Sequence, residues 1–263
     1  MSAVRGEFDG RVALVAGAAQ GIGAAAAGLL AARGAILALM DRDGDALQAG
    51  AQALRGKGAV VHTCTIDLAE LDAASDAIDE FSRRLGGIDH FAHVAGILRV
   101  GDVLDMDVSD WDACMAVNAR ALMGTTRAVA RIMVRRGRGS IVAVGSNAAA
   151  VPRAGMAAYA ASKAAAAQYL RCLALELAPH GVRCNVVSPG STDTPMQWAF
   201  APDEAARAAI LRGAPDRYRL GIPLGRIAEP EDIAEGVCFL LSDRARHIAL
   251  HDLRIDGGAT LGA

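Results

Sequence analysis

Residues 11–23 read Arg-Val-Ala-Leu-Val-Ala-Gly-Ala-Ala-Gln-Gly-Ile-Gly, and this stretch decides the fold. Residues 11–16 form an apolar run of the length of a buried strand. Gly17, Gly21 and Gly23 follow in a GxxxGxG spacing, with Gln20 and Ile22 between them. A helix-length segment then runs to residue 33 and stops at Gly34. A tight turn alone could use such glycines. A strand that turns through them into a helix also lets the backbone approach a pyrophosphate, which rests on the helix N-terminus. The position near the start of the chain favours that dinucleotide reading.

Working outward, the same alternation continues. Strand-length apolar runs are predicted at 35–40, 60–66, 90–94, 140–144 and 182–187, with a short last one at 253–255. Helices are predicted at about 41–55, 70–85, 111–135, 156–178, 202–212 and 231–241. Near-continuous apolar strands, each followed by a helix, imply an α/β fold with a parallel sheet covered on both faces. The expectation is one domain over 1–263 with a doubly wound, Rossmann-like sheet, whose ligands sit at the carboxyl ends of the strands.

Composition excludes several classes. Charge is close to balance, 27 Lys+Arg against 29 Asp+Glu, which argues against nucleic acid as a partner. No apolar run is long enough to span a membrane. Residues 1–10 carry Glu7 and Asp9 and do not read as a secretory signal. The five cysteines are scattered without a CxxC pair, so no metal site is expected and a reducing, cytoplasmic location is. Among the basic residues only Lys57 and Lys163 are lysine.

Residues at the strand ends suggest chemistry. Asp41 ends the second strand, where a carboxylate can accept from a ribose diol and repel a 2′-phosphate, so NAD is the expected cofactor. Arg42 follows it, and Asp67-Leu68 at the end of the third strand can reach the adenine. An ordinary capping role is the competing reading for both aspartates. Tyr159 and Lys163 stand at i and i+4 on one helix face. An ammonium there would stabilise a phenolate and lower the tyrosine pKa. One of the two lysines occupies this place in a chain that otherwise writes arginine. Ser146, at the end of the fifth predicted strand, brings a hydroxyl to the same region.

Together, the glycine turn, Ser146, Tyr159-x-x-x-Lys163 and the Asn185-Val-Val-Ser-Pro-Gly190 strand end resemble the short-chain dehydrogenase/reductase family. The resemblance covers about residues 10–262. It implies Tyr159 as catalytic acid/base, Lys163 as its pKa modulator and ribose ligand, Ser146 as the group orienting the substrate hydroxyl, and Asn118 as holder of a relay water. It also implies that Ala95, Gly96, Pro189, Gly190, Thr192 and Thr194 line the nicotinamide side, and that the chain forms a homotetramer. Two positions depart from the family pattern: Ala16 stands where threonine is usual, and His93 replaces an asparagine. Both read as altered scaffolding.

The loops at residues 95–99, 152–156, 183–197 and 221–225 and the tail 256–263 resemble family members that dehydrogenate a cyclohexadiene diol carboxylate. An anionic substrate calls for a guanidinium, and Arg153 is the preferred candidate, with Arg99 in reserve. Met196 and Gln197 belong to a covering loop at about 194–220, together with Trp198 and Phe200. The alternatives are a ring bearing an amino group, with Asn147 a candidate for that choice, an NADPH-dependent 3-oxoacyl thioester reductase, and a non-catalytic dinucleotide sensor.

Overall fold

The computed structural model describes residues 6–201 and 203–261. Met1–Arg5, Pro202, Gly262 and Ala263 lie outside it, so parts of the expectations for the N-terminus, the 202–212 helix and the tail fall on undescribed residues. In chain order the elements are β1 (Val12–Ala16), α1 (Gly21–Ala32), β2 (Ile36–Asp41), α2 (Gly44–Gly56), β3 (Val61–Thr65), α3 (Leu71–Leu85) and β4 (His90–His93). There follow α4 (Val108–Cys114), a π-helical stretch (Met115–Ala121), α5 (Leu122–Arg136), β5 (Gly139–Val144), α6 (Ala157–Leu177) and β6 (Val182–Pro189). The chain ends with α7 (Pro195–Trp198), α8 (Glu204–Arg212), β7 (Gly213–Ala214), β8 (Arg219–Leu220), α9 (Pro230–Leu241) and β9 (Asp252–Ile255).

The main sheet has seven parallel strands in the order β3-β2-β1-β4-β5-β6-β9. Alternate strand residues feed opposite faces. Val12, Leu14 and Ala16 join Phe91, Ile141 and Val186 in the core under α3, α5 and α6. Ala13 and Val15 join Ala92, Val142 and Val187 in the core under α1, α2 and α9. Both faces are therefore dry over the inner strands, which is why these lack polar alternation, whereas the edge strands β3 and β9 keep polar residues. Complete burial of one side chain such as Leu14 contributes about 1.5–3 kcal/mol.

Strand order reverses between β1 and β4, and the two strand ends meet there. Val94 and Ala95 donate their backbone N–H groups to the Ala16 carbonyl at 2.8 and 3.0 Å. Gly17 adopts φ +85°, and a Cβ on it would lie 2.4 Å from the Ala95 nitrogen. A Cβ on Gly23 would lie 1.8 Å from the Gly17 carbonyl oxygen. Glycine is required at both places, by sterics at Gly23 and by sterics and φ at Gly17.

Two elements differ from the sequence expectation. The helix read as 111–135 begins at Val108, where Asp107 accepts from the Ser109 N–H at 2.8 Å, and it widens into π geometry before α5. Apolar periodicity gives no sign of one extra residue per turn. The covering segment carries the expected helix, found as α8, and two further elements that were not expected, α7 and an antiparallel β7–β8 hairpin outside the main sheet. Its two ends are tied by a bridge between Thr192 and Ala228, with the Asp193 N–H donating to the Ala228 carbonyl at 2.8 Å.

Candidate active site

The strand ends of β1, β4, β5 and β6 open into a cavity of about 680 Å³. Ser146, Tyr159 and Lys163 line it, and so do Arg153, Thr192 and Gln197. Ser146 follows β5 in extended backbone, and its hydroxyl accepts from the Ala148 N–H at 3.1 Å. Tyr159 lies in the first turn of α6 and is 9% exposed. Burial pushes its phenol up from the ordinary value, and a hydrogen bond with Ser146 works in the opposite direction. The Lys163 Nζ donates to the Val144 carbonyl at 2.9 Å and stands 5.9 Å from the Tyr159 ring centroid. Burial brings its own pKa down to about 8. The ammonium is anchored on the β5 end rather than on the phenol oxygen.

Asn118 is held inward by the π-helical stretch and is 1% exposed. Its Nδ2 donates to the Ile97 carbonyl and to the Ser162 hydroxyl, both at 2.9 Å, and its Oδ1 accepts from the Ile97 N–H at 2.8 Å. The Ser162 hydroxyl in turn donates to the Tyr159 carbonyl at 2.7 Å. The side chain thus ties the Ala95–Gly96–Ile97 segment to the helix that carries Tyr159. With its amide so engaged, any water it served would have to use another atom of the residue.

The cofactor side can be tested for fit. The first turn of α1 has no side-chain cap, whereas α2 is capped by Asp43, so the amide donors after Gln20, at Gly21, Ile22 and Gly23, suit an anion. The Thr194 methyl would touch a Cβ on Gly21 at 3.1 Å, so the segment after β6 reaches the glycine turn. Asp41 uses one carboxylate oxygen for the Ala19 N–H and the other for the Asp43 N–H, each at 3.0 Å. It buttresses the glycine turn and is half-buried at the end of β2. Arg42 is exposed beside it, Asp67 is exposed and accepts from the Ala69 N–H at 2.9 Å, and Leu68 is buried. Gly96 packs within 3.2 Å of the Lys163 Nζ when given a Cβ, and one on Gly190 would lie 2.7 Å from the Asp256 Cβ. Pro189 closes β6, and Thr192 is buried beside it. These residues fit a nicotinamide dinucleotide lying across the β1–β4 reversal.

On the substrate side, Arg153 reaches the cavity and donates to the Thr260 hydroxyl at 3.3 Å. Arg99 does not stand in reserve: it is exposed and pairs with Asp110 at 3.0 Å. Met196, Gln197 and Phe200 line the mouth from the covering segment. Asn147 is spent on structure, donating to Asp256 and Thr260 at 3.2 Å each, and so fixes the tail against the cavity. His93 is buried behind Lys163. Its Nδ1 meets the Thr125 hydroxyl at 3.1 Å, Nε2 has no partner among the described residues, and burial followed by the Lys163 charge brings its pKa down to about 3. A neutral imidazole there supports the scaffold. Ala16 is fully buried in β1 and offers only its carbonyl. Sequence reasoning missed Arg219, which lines the cavity from β8.

A family model described as enoyl-(acyl carrier protein) reductase matches residues 17–260. The chain is 43% identical over 255 residues to the 2,3-dihydro-2,3-dihydroxybenzoate dehydrogenase of Bacillus subtilis (strain 168), covering 97% of this chain and 98% of that protein. It is 42% identical over 249 residues to a vibriobactin-specific 2,3-dihydro-2,3-dihydroxybenzoate dehydrogenase of Vibrio cholerae serotype O1 (strain ATCC 39315 / El Tor Inaba N16961), covering 94% and 95%. Among solved structures, a 7α-hydroxysteroid dehydrogenase complexed with NADH and 7-oxo glycochenodeoxycholic acid superposes with a TM-score of 0.89 at 27% identity, covering 97% of this chain and 96% of that one.

Proposed function

The chain belongs to the short-chain dehydrogenase/reductase family of oxidoreductases, and on that premise we propose that it oxidises 2,3-dihydro-2,3-dihydroxybenzoate to 2,3-dihydroxybenzoate with NAD, as a step of catecholate siderophore synthesis. The observation that carries the reading is the convergence of Ser146, Tyr159 and Lys163 on one cavity that also holds a half-buried guanidinium, Arg153. The first three suit a ring carbinol, and the fourth suits a ring carboxylate.

When bound, the nicotinamide dinucleotide supplies the acceptor for the carbinol hydrogen, and the glycine turn, Asp41, Lys163 and the segment Pro189–Thr194 would hold it. The protein's own part is proton handling and placement. Ser146 donates to the substrate hydroxyl and orients it toward Tyr159. The Tyr159 oxygen takes the hydroxyl proton as the carbon becomes a carbonyl. Burial works against a phenolate, so the active form gains from an ammonium nearby, and Lys163 is the cation within reach. The ring ketone then tautomerises to the catechol, and aromatisation draws the reaction forward. Met196, Gln197 and Phe200 exclude water from the mouth.

NAD is favoured over NADP because the Asp41 carboxylate would face a 2′-phosphate. Helices α5 and α6 are the faces on which a homotetramer of the family's kind would assemble, in the cytoplasm. The test is formation of reduced cofactor from 2,3-dihydro-2,3-dihydroxybenzoate and from 2,3-dihydro-3-hydroxyanthranilate, each with NAD and with NADP. The expected outcome is turnover of the first acid with NAD above every other combination. Preference for the amino acid, or for NADP, would replace the corresponding half of the reading.

A further inference from the structure

Two arginines face the cavity without a carboxylate partner among the described residues. Arg153 comes from the segment between β5 and α6, and Arg219 from β8 of the hairpin. Both are half-buried. Each has a neutral hydroxyl as its recorded partner: Arg153 donates to Thr260 and Arg219 to Ser191, both at 3.3 Å. Their neighbours are treated differently. Arg217 on the same hairpin pairs with Asp102 at 3.3 Å, and Arg99 pairs with Asp110. Burial holds both cavity guanidiniums below the ordinary arginine range, and the Arg153 charge adds to the effect on Arg219. Asp256 opposes the effect on Arg153 without forming an ion pair with it.

We propose that Arg219 and Arg153 together form a two-guanidinium receptor for the ring carboxylate, so that the covering hairpin supplies half of the substrate's anion site. The proposal deepens the functional reading and rests on it for the identity of the ring. Two like charges brought together and left with hydroxyls alone are relieved by one anion between them. A planar fork on each side matches a carboxylate, which has two oxygens to share. The hairpin geometry serves this. Arg219 pairs with Ala214 across the strands, and Gly213 takes φ +89° to turn α8 into β7. A Cβ on Gly213 would lie 2.6 Å from the Arg219 carbonyl oxygen, so the position of Arg219 depends on that glycine. Ser191 belongs to the segment after β6, so the same side chain touches the cofactor side of the cavity.

The experiment is calorimetric titration of the full chain, saturated with NAD, by 2,3-dihydroxybenzoate and by catechol. Wild type should bind the acid more tightly than the carboxylate-free ring. Arg219→Gln and Arg153→Gln should each weaken the acid by roughly 10- to 100-fold, the scale of a charge-assisted pair, and leave catechol within about twofold. Arg219→Lys should recover part of the loss, since it keeps the charge but not the fork. A thermal midpoint near that of wild type certifies that the variants are folded. Arg219→Gln binding the acid like wild type would overturn the proposal and leave the enzyme's reaction untouched. Equal binding of acid and catechol by wild type would overturn it as well. A wild type that binds the acid through Arg219 yet does not turn over the dihydrodiol acid would retain the receptor and remove the functional reading.

Discussion

The two sides of the cavity are built by different means. On the cofactor side, the β1–α1 turn is made of backbone: Gly17 lies against Ala95, Gly23 against Gly17, and the first turn of α1 has no side-chain cap. On the substrate side, thin elements carry long side chains. Arg219 sits on a two-residue strand, and Met196 sits on a helix of four residues with 37% of its surface exposed. Backbone recognition tolerates no added atom but needs no particular charge. Side-chain recognition tolerates exchange and carries the selectivity. One molecule can therefore hold its cofactor geometry constant while its substrate chemistry is set elsewhere.

The largest expected effect sharpens that contrast. Tyr159→Phe removes one oxygen and no packing, so turnover should fall by at least ~100-fold, the scale of general acid/base catalysis. Cofactor affinity and the thermal midpoint should stay near wild type. Loss of cofactor affinity in this variant would mean that the two sides are not separable. Next in size is the converse, Gly23→Ala. Its Cβ would press on the Gly17 carbonyl, which is backbone and cannot swing away. Stability should drop by about 1–3 kcal/mol, as for other overpacked sites. The upward shift of the melting temperature with added NAD should vanish. A variant that melts and binds NAD like wild type would show that the turn can relax.

The smallest effect concerns the scaffold between the two sides. His93 is buried and His90 half-buried, and burial brings their pKa values down to about 3 and about 4. As pH falls through about 6.5, the unfolded chain takes up protons that the folded chain refuses, so stability is lost toward acid. It is fully present above that pH. Each such group steepens the loss by at most about 1.4 kcal/mol per pH unit. His93→Asn should therefore make denaturation by acid less steep between about pH 6 and about pH 4. A slope equal to wild type would show that His93 does not titrate across unfolding.

The sheet was legible because its inner strands β2, β1, β4, β5 and β6 are buried on both faces and read as apolar runs. Ser146, Tyr159 and Lys163 were legible because a strand end and an i, i+4 pair are local features. The π-helical stretch was not, because one widened turn leaves the apolar pattern of its helix nearly unchanged. Arg219 was hidden for another reason. In a chain whose basic residues are almost all arginine, only the absence of a counterion marks one as functional, and counterions come from distant segments: Asp102 for Arg217, Asp110 for Arg99. The hairpin that aims Arg219 spans four paired residues, too few for periodicity to register.

The bridge between Thr192 and Ala228 gives the covering segment a closed base. The described residues between them leave the main sheet and return to the same spot, and none of their hydrogen bonds belongs to the seven-stranded ladder. Lengthening or replacing such an excursion changes the loop-closure cost only slowly, by about 0.6 kcal/mol for each doubling of length. In evolutionary terms the segment is a cassette. Its outer part, α8 with the hairpin and its charges, can be exchanged while strand registers, Thr194 and the glycine turn stay as they are. New substrates can thus be acquired by this frame without reopening the problem of folding it.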